Sequence, residues 1–335
     1  MAGFTKRLLP VLLAVMMSSA LLTGCGETSA SSADSAVFQE TTVLEDVQIE
    51  EEAVALAATA ASTAPTMLLP TASGTLVQKN SQAEIDYSNT ADGYVMARYT
   101  AASAQKIKAQ VVGPSGTAYT YNLTAGASDW TTFPLSDENG AYKVTIYQNI
   151  SGTKYAAVLS VSVTATMTDP FAPFLRPNQY VNYAQSAANT IAKADALCRG
   201  LTDPLDKVKA VYDYVVTTLT YDKQKAETVK SGYLPVLDTI LTAKKGICFD
   251  YAAMMTAMLR SQGVPCKLIV GYAGTAYHAW INVYSDKSGW VDAAIYFDGT
   301  SWKRMDPTFA SSGKQSASIM KYIGDGSHYT AKYIY

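Results

Sequence analysis

The stretch "GICFDYAAMMTAMLRSQGVPCKLIVGY", Gly246 to Tyr272, places one cysteine between a glycine and a helical run. That cysteine could be an apolar filler, half of a disulfide, a metal ligand or a nucleophile. Counted from Tyr251, the apolar residues Met254, Met255, Met258 and Leu259 fall at offsets 3, 4, 7 and 8, which predicts an amphipathic helix. Gly263 and Pro265 end it. Cys248 therefore lies at the helix N-terminus. Free backbone N–H groups and the helix dipole there favour a thiolate. The same N–H groups can hold an oxyanion formed when the sulfur attacks a carbonyl. Asp250 would oppose a thiolate if its carboxylate pointed inward, so it is expected to cap the helix or bind nearby backbone. Cys266 enters a strand pattern, "KLIVGY", and reads as a small buried filler.

A thiolate nucleophile needs an imidazole, and the chain has two histidines. His278 lies in "AYHAWINVY", which alternates like a strand, with His278, Trp280, Asn282 and Tyr284 on one face. Taken alone, His278 reads as a structural histidine; a nucleophile candidate in the same domain reverses that. His328, in "DGSHYT", reads as an exposed turn residue. An imidazole base is commonly oriented by a third group. "SWKRMDPTF" supplies Asp306 at the end of the next strand pattern, expected beside the strand of His278. Asp before Pro is also an ordinary turn residue, so Asp306 takes its weight from its place in the order Cys248, His278, Asp306.

Further upstream, "LTDPLDKVKAVYDYVVTTLTYD" predicts a helix opened by Asp203 or Thr202 and Pro204, with Val208, Val211, Tyr212, Val215 and Leu219 facing the core. Tyr180 to Cys198 and Val236 to Thr242 are two further helix candidates. "DPFAPFLRPNQ", Asp169 to Gln179, has three prolines and reads as an interdomain linker. Before it, residues 73–166 contain six short strand patterns, from "AEIDYSN" to "AAVLSVSV", separated by turn formers. That rhythm predicts a β-sandwich. It resembles bacterial immunoglobulin-like or fibronectin-like modules in pattern, and reads as a spacer or a binding module.

The chain begins with Lys6 and Arg7, then an apolar run from Leu8 to Leu22 that is short for a membrane span. It ends in Leu22-Thr23-Gly24-Cys25, which resembles a bacterial lipobox and implies lipidation at Cys25. A diacylated cysteine supplies the two chains that stable anchoring requires. Residues 26–72 hold eight acidic residues and no Lys or Arg, and read as a disordered acidic tether reaching roughly 40 Å r.m.s.. The whole chain of 335 residues carries a formal −2. Leaving out Lys6, Arg7 and the eight tether acids, residues 73–335 carry +4. No global basic field points to nucleic acid.

Four cysteines are present. With Cys25 lipidated, three remain, so at least one thiol is left over. Spacing alone does not establish a disulfide between Cys198 and Cys266. No Cys/His cluster has metal-ligand spacing, so no metal site is expected.

"GICFDYAAMMTAMLRSQGVPCKLIVGY", "YHAWINVY" and "WKRMDPTF", in that order, resemble the three motif blocks of the transglutaminase-like superfamily, whose fold is papain-like. "DKVKAVYDYVVTTLTYD" resembles the helix leading into that core, and the match covers about residues 200–310. The resemblance implies Cys248 as nucleophile, His278 as general base and acid, and Asp306 as its orienter. Tyr221 and Gln224 are the candidates for the family's second oxyanion donor. The stretch from Trp290 to Trp302 is longer than usual for the family.

The expected architecture is multidomain: signal peptide with lipobox (1–25), tether (26–72), all-β immunoglobulin-like sandwich (73–166) and α+β transglutaminase-like domain (167–335). The resemblance implies a surface-anchored enzyme of acyl transfer on peptide or protein amides, a cell-wall peptide among the candidates, working through a thioester without cofactor or metal. Hydrolysis and transamidation both stay open. The alternative is a non-enzymatic surface binding or adhesion protein that keeps the fold. The implied location is extracytoplasmic, lipid-anchored to the bacterial cell membrane.

Overall fold

The computed structural model describes residues 65–335 apart from 185, 292–294, 298–301, 305–306, 313–322 and 324–325. The chain divides into Met1–Val54 and Ala55–Tyr335, and every described residue belongs to the second unit. The expectations for the signal segment, for Cys25 and for nearly all of the tether lie outside the described residues, as does Asp306. No helix among the described residues is long and apolar enough to cross a membrane.

The N-terminal part is all-β. Its strands are β1 (Val77–Lys79), β2 (Ala83–Asp86), β3 (Tyr94–Tyr99), β4 (Ile107–Val112), β5 (Ala118–Leu123), β6 (Thr131–Pro134), β7 (Gly140–Ser151) and β8 (Lys154–Ala165). They form two four-stranded antiparallel sheets, ordered β1-β2-β3-β6 and β5-β4-β7-β8. Alternation decides which face is buried. In β4, Ile107, Ala109 and Val111 are inside; in β5, Tyr119, Tyr121 and Leu123 are. Six strand patterns are legible in the sequence and eight strands form. The two missed ones, β1 and β6, are three and four residues long and too short to show alternation.

Asp169–Gln179 is a packed strap rather than a loose linker. A 3-10 turn at Ala172–Phe174 is buried. Phe171 lies against Tyr284 with ring centres 4.2 Å apart, and Phe174 meets Trp290 edge-on at 5.4 Å. Lys267 Nζ sits 3.8 Å from the centre of the Trp290 ring. The prolines remove backbone donors, and the phenylalanines between them supply the apolar area that fixes the segment.

The C-terminal part is α+β. It runs α1 (Ala188–Cys198), α2 (Pro204–Thr218), β9 (Thr220–Tyr221), α3 (Lys223–Thr228), α4 (Leu237–Ala243), β10 (Lys245–Gly246), α5 (Cys248–Ser261), β11 (Cys266–Ala273), β12 (Ala276–Ser285), β13 (Gly289–Val291), β14 (Ile295–Phe297), β15 (Trp302–Arg304), α6 (Pro307–Ser312) and β16 (Tyr329–Ile334). The Asp203 side chain accepts the Leu205 N–H and Pro204 opens α2. Leu205, Val208, Val211, Tyr212 and Val215 then face the core. Helix α1 starts at Ala188, later than the sequence suggests. Asn178 Oδ1 accepts the N–H groups of Tyr180 and Val181, and this turn holds the segment out of helix.

The main sheet is antiparallel, ordered β13-β12-β11-β16, with α5 buried along nearly its whole length. Met254, Met255, Met258 and Leu259 are fully buried; each such side chain contributes about 1.5–3 kcal/mol. Arg260, on the same helix, is buried and has no carboxylate partner among the described residues. It donates to three backbone carbonyls: Cys266 at 2.8 Å, Arg176 at 2.6 Å and Tyr335 at 2.7 Å. One side chain therefore ties the strap, the start of β11 and the last residue together.

Candidate active site

Residues 244–250 set the geometry. Helix α4 ends on Lys244, whose φ of 50° turns the chain sharply. Lys245 and Gly246 then pair in parallel with Thr220 and Tyr221, which brings Tyr221 beside the start of α5. Ile247 is extended, with φ −98° and ψ 176°, and Cys248 is the first helical residue. Gly246 is needed here because a Cβ would stand 2.6 Å from Asp250 Cβ.

Asp250, two residues past the cysteine, is fully buried, and its carboxylate is engaged on several sides. Oδ2 accepts the Ile247 N–H at 2.8 Å and Lys225 Nζ at 2.5 Å; Oδ1 accepts the Tyr233 hydroxyl at 2.6 Å. Lys225 Nζ also bonds Tyr233 Oη at 2.6 Å. Burial first, then the hydrogen bond and charge of Asp250, push the Tyr233 hydroxyl well above its usual range, so it stays a donor. The capping role expected for Asp250 holds, and its tie to α3 and to Tyr233 is an addition.

His278 lies on β12, the strand between β11 and β13, opposite Gly271 of β11. It is 5% exposed. Its ring stacks toward Trp280 with centres 6.3 Å apart and tilts toward Tyr329 at 6.4 Å. Cys248 and His278 open on one cavity of about 600 Å³. Aromatic residues form much of its wall: Tyr180, Tyr221, Tyr233, Phe249, Tyr277 and Tyr333. The sequence holds 23 tyrosines, but those that meet here come from separate segments, so no local motif marks them. One wall residue, Thr120, comes from strand β5 of the N-terminal sheets.

The remaining candidates sort plainly. Tyr221 lines the cavity and Gln224 does not. Asp306 lies outside the described residues. The strand before it, β15, pairs with β14 in a separate two-stranded sheet, and the neighbours of β12 are β11 and β13. The expected adjacency of that strand to the strand of His278 is thus corrected. His328 is exposed; its carbonyl accepts the Gly274 N–H at 2.7 Å. Cys198 and Cys266 are buried, unpaired thiols, each pushed up to about 11 by burial. Cys248 is partly exposed. Among the described residues no cluster of three His, Cys, Asp or Glu side chains is placed to hold a metal ion.

A partly exposed cysteine at a helix start and a histidine on a central strand thus face one cavity in an α+β frame. Residues 191–295 match the family model described as the transglutaminase-like superfamily, and this part of the chain is a transglutaminase-like core. YebA of Bacillus subtilis, described as uncharacterized, is 30% identical over 105 residues, 26% of this chain. The chain spans about 14% of that relative's length. Among solved structures, the periplasmic domain of TgpA from Pseudomonas aeruginosa is similar over 74% of this chain and 76% of its own, at 17% identity and a TM-score of 0.33. Red sea bream transglutaminase is similar over 69% of this chain and 53% of its own, at 13% identity and a TM-score of 0.26.

Proposed function

We propose that this chain is a surface-anchored cysteine acyl-transfer enzyme that acts on peptide or protein amides. The observation that carries the reading is the opening of Cys248 and His278 on a single cavity, with the sulfur at the start of a buried helix. In the reaction His278 takes the thiol proton and Cys248 Sγ bonds to the amide carbonyl carbon. The oxyanion is held by N–H groups at the start of α5. The C–N bond breaks as His278 returns the proton to the leaving amine, which leaves a thioester on Cys248. Water attacks the thioester to give an acid, or an amine attacks to give a new amide; either step restores the thiol. Asp306 orients the His278 ring.

The all-β part is the immunoglobulin-like sandwich of the same protein, carried with the catalytic domain on an acidic tether from a lipidated Cys25 outside the cytoplasmic membrane. Iodoacetamide near neutral pH tests the nucleophile. Fast labelling of Cys248 that is lost in His278→Ala is expected; labelling no faster than for Cys266 would overturn the reading. Labelled casein assayed with and without a fluorescent primary amine separates hydrolysis from transamidation.

A further inference from the structure

Strand β5 is the outer strand of its sheet, so among the described residues one side of its backbone has no strand beside it. In an antiparallel ladder, alternate residues turn N–H and C=O toward the neighbour or away from it. Asn122 is turned away. Its N–H reaches Gln179 Oε1 at 3.2 Å, and its C=O accepts from Gln179 Nε2 at 2.6 Å. The Gln179 amide stands where the peptide group of an added strand would stand. The register of β5 on β4 has no shift, so Thr120, two residues earlier, also faces outward. Its C=O accepts from Tyr180 Oη at 3.2 Å. Its N–H has no acceptor among the described residues, and Thr120 is an exposed part of the cavity wall that also carries Cys248 and His278.

We propose that Thr120 is a substrate-binding residue whose outward N–H donates to a backbone carbonyl of an extended peptide acyl donor lying along β5. This rests on the reading of Cys248 given above. It adds that the N-terminal sheets form part of the substrate groove. A backbone donor on a sheet edge is matched by a backbone acceptor in an extended chain, the mode of strand addition. An occupant that covered this edge without an acceptor would bury the N–H unsatisfied, which selects against ligands lacking a carbonyl there. The aromatic wall beyond, with Tyr180, Tyr277 and Tyr333, suits the side chains of such a peptide rather than its backbone.

The variant Thr120→Pro tests this, because proline is tolerated on an edge strand where the lost N–H faces outward. Thr120→Ala keeps the N–H and removes the side chain. Steady-state assays compare fluorescein-labelled casein, an unstructured chain, with p-nitrophenyl acetate, which has no peptide backbone to pair with β5. The expected result is a KM for casein raised about tenfold in Thr120→Pro relative to Thr120→Ala, with kcat kept, and a much smaller difference between the two variants on the ester. An unchanged casein KM in Thr120→Pro, or an equal loss on the ester, overturns the proposal.

Two further measurements read binding without turnover, in Cys248→Ala protein. Casein anisotropy should weaken about tenfold on adding Thr120→Pro. The Thr120 amide proton, followed by NMR with the natural residue in place, should exchange more slowly when casein is bound. This second readout stands even where the proline variant does not fold. Failure of wild-type turnover with these binding effects intact would sink the Cys248 reading alone; binding without protection of Thr120 would sink the Thr120 contact alone.

Discussion

The Asp250 carboxylate takes Lys225 Nζ at 2.5 Å across 25 residues of sequence, directly behind the cysteine that opens α5. Asp250 is fully buried, whereas Lys225 is 27% exposed. Removing one partner of a buried pair leaves an uncompensated charge, while removing both leaves none. Lys225→Met should therefore destabilise the fold by about 2–3 kcal/mol, less than the roughly 3–5 kcal/mol of a fully buried pair because the lysine is partly solvated. The double variant Lys225→Met/Asp250→Asn should recover much of that loss. Urea denaturation of both proteins measures it, and a double variant no more stable than the single would show that the pair is not coupled.

Arg260 supplies a second prediction. Its guanidinium serves three carbonyls of distant segments, of which the Tyr335 carbonyl also accepts the Leu268 N–H at 2.9 Å. In Arg260→Met the apolar volume is kept and the three acceptors lose this donor, at a cost of about 3 kcal/mol or more. Because one of the acceptors belongs to Tyr335, amide exchange in β16 should rise ahead of global unfolding. Uniform exchange across the sheet would count against this tie.

Helix α5 was legible because its apolar spacing is long and regular and its ends carry a glycine on each side. Strand β12 was legible as a strand, but alternation alone does not show that both its faces are covered: Ala279, Ile281 and Val283 are buried on one, and His278, Trp280 and Asn282 on the other, where Trp280 packs against Tyr329. The strap at 169–179 reads as a linker from its prolines, since sequence cannot show that Phe171 and Phe174 find Tyr284 and Trp290. The same holds for the cavity. Cys248 and His278 announce themselves by residue type, whereas Thr120, Tyr180 and Tyr333 become a wall only through the docking of separate segments.

Alkaline pH gives a third prediction. Cys266 has an ordinary value of 9.0 that burial pushes up to about 11. Between these values the unfolded chain releases a proton that the folded chain keeps, so its contribution is complete below pH 9.0 and fades as pH rises toward about 11. Cys266→Ala should flatten that part of the stability–pH curve, measured by chemical denaturation from pH 8 to 11. A curve of unchanged slope would show that other groups, such as the buried tyrosines, carry the alkaline loss.

The β9–β10 pairing yields the last prediction. It sets Tyr221 beside the start of α5 and on the wall of the cavity, while Gln224, the second residue of α3, is off that wall. If an oxyanion forms at Cys248, Tyr221 is the side chain upstream that can donate to it along with the helix N–H groups. A donor that acts on the developing charge changes kcat rather than KM. Tyr221→Phe, which keeps the ring and its packing, should lower kcat by about tenfold or more with KM near wild type. Gln224→Ala should leave both constants unchanged. Steady-state kinetics on casein with both variants decides: a Tyr221→Phe protein of normal kcat removes this side chain from the oxyanion site, and a slow Gln224→Ala protein would move the role to α3.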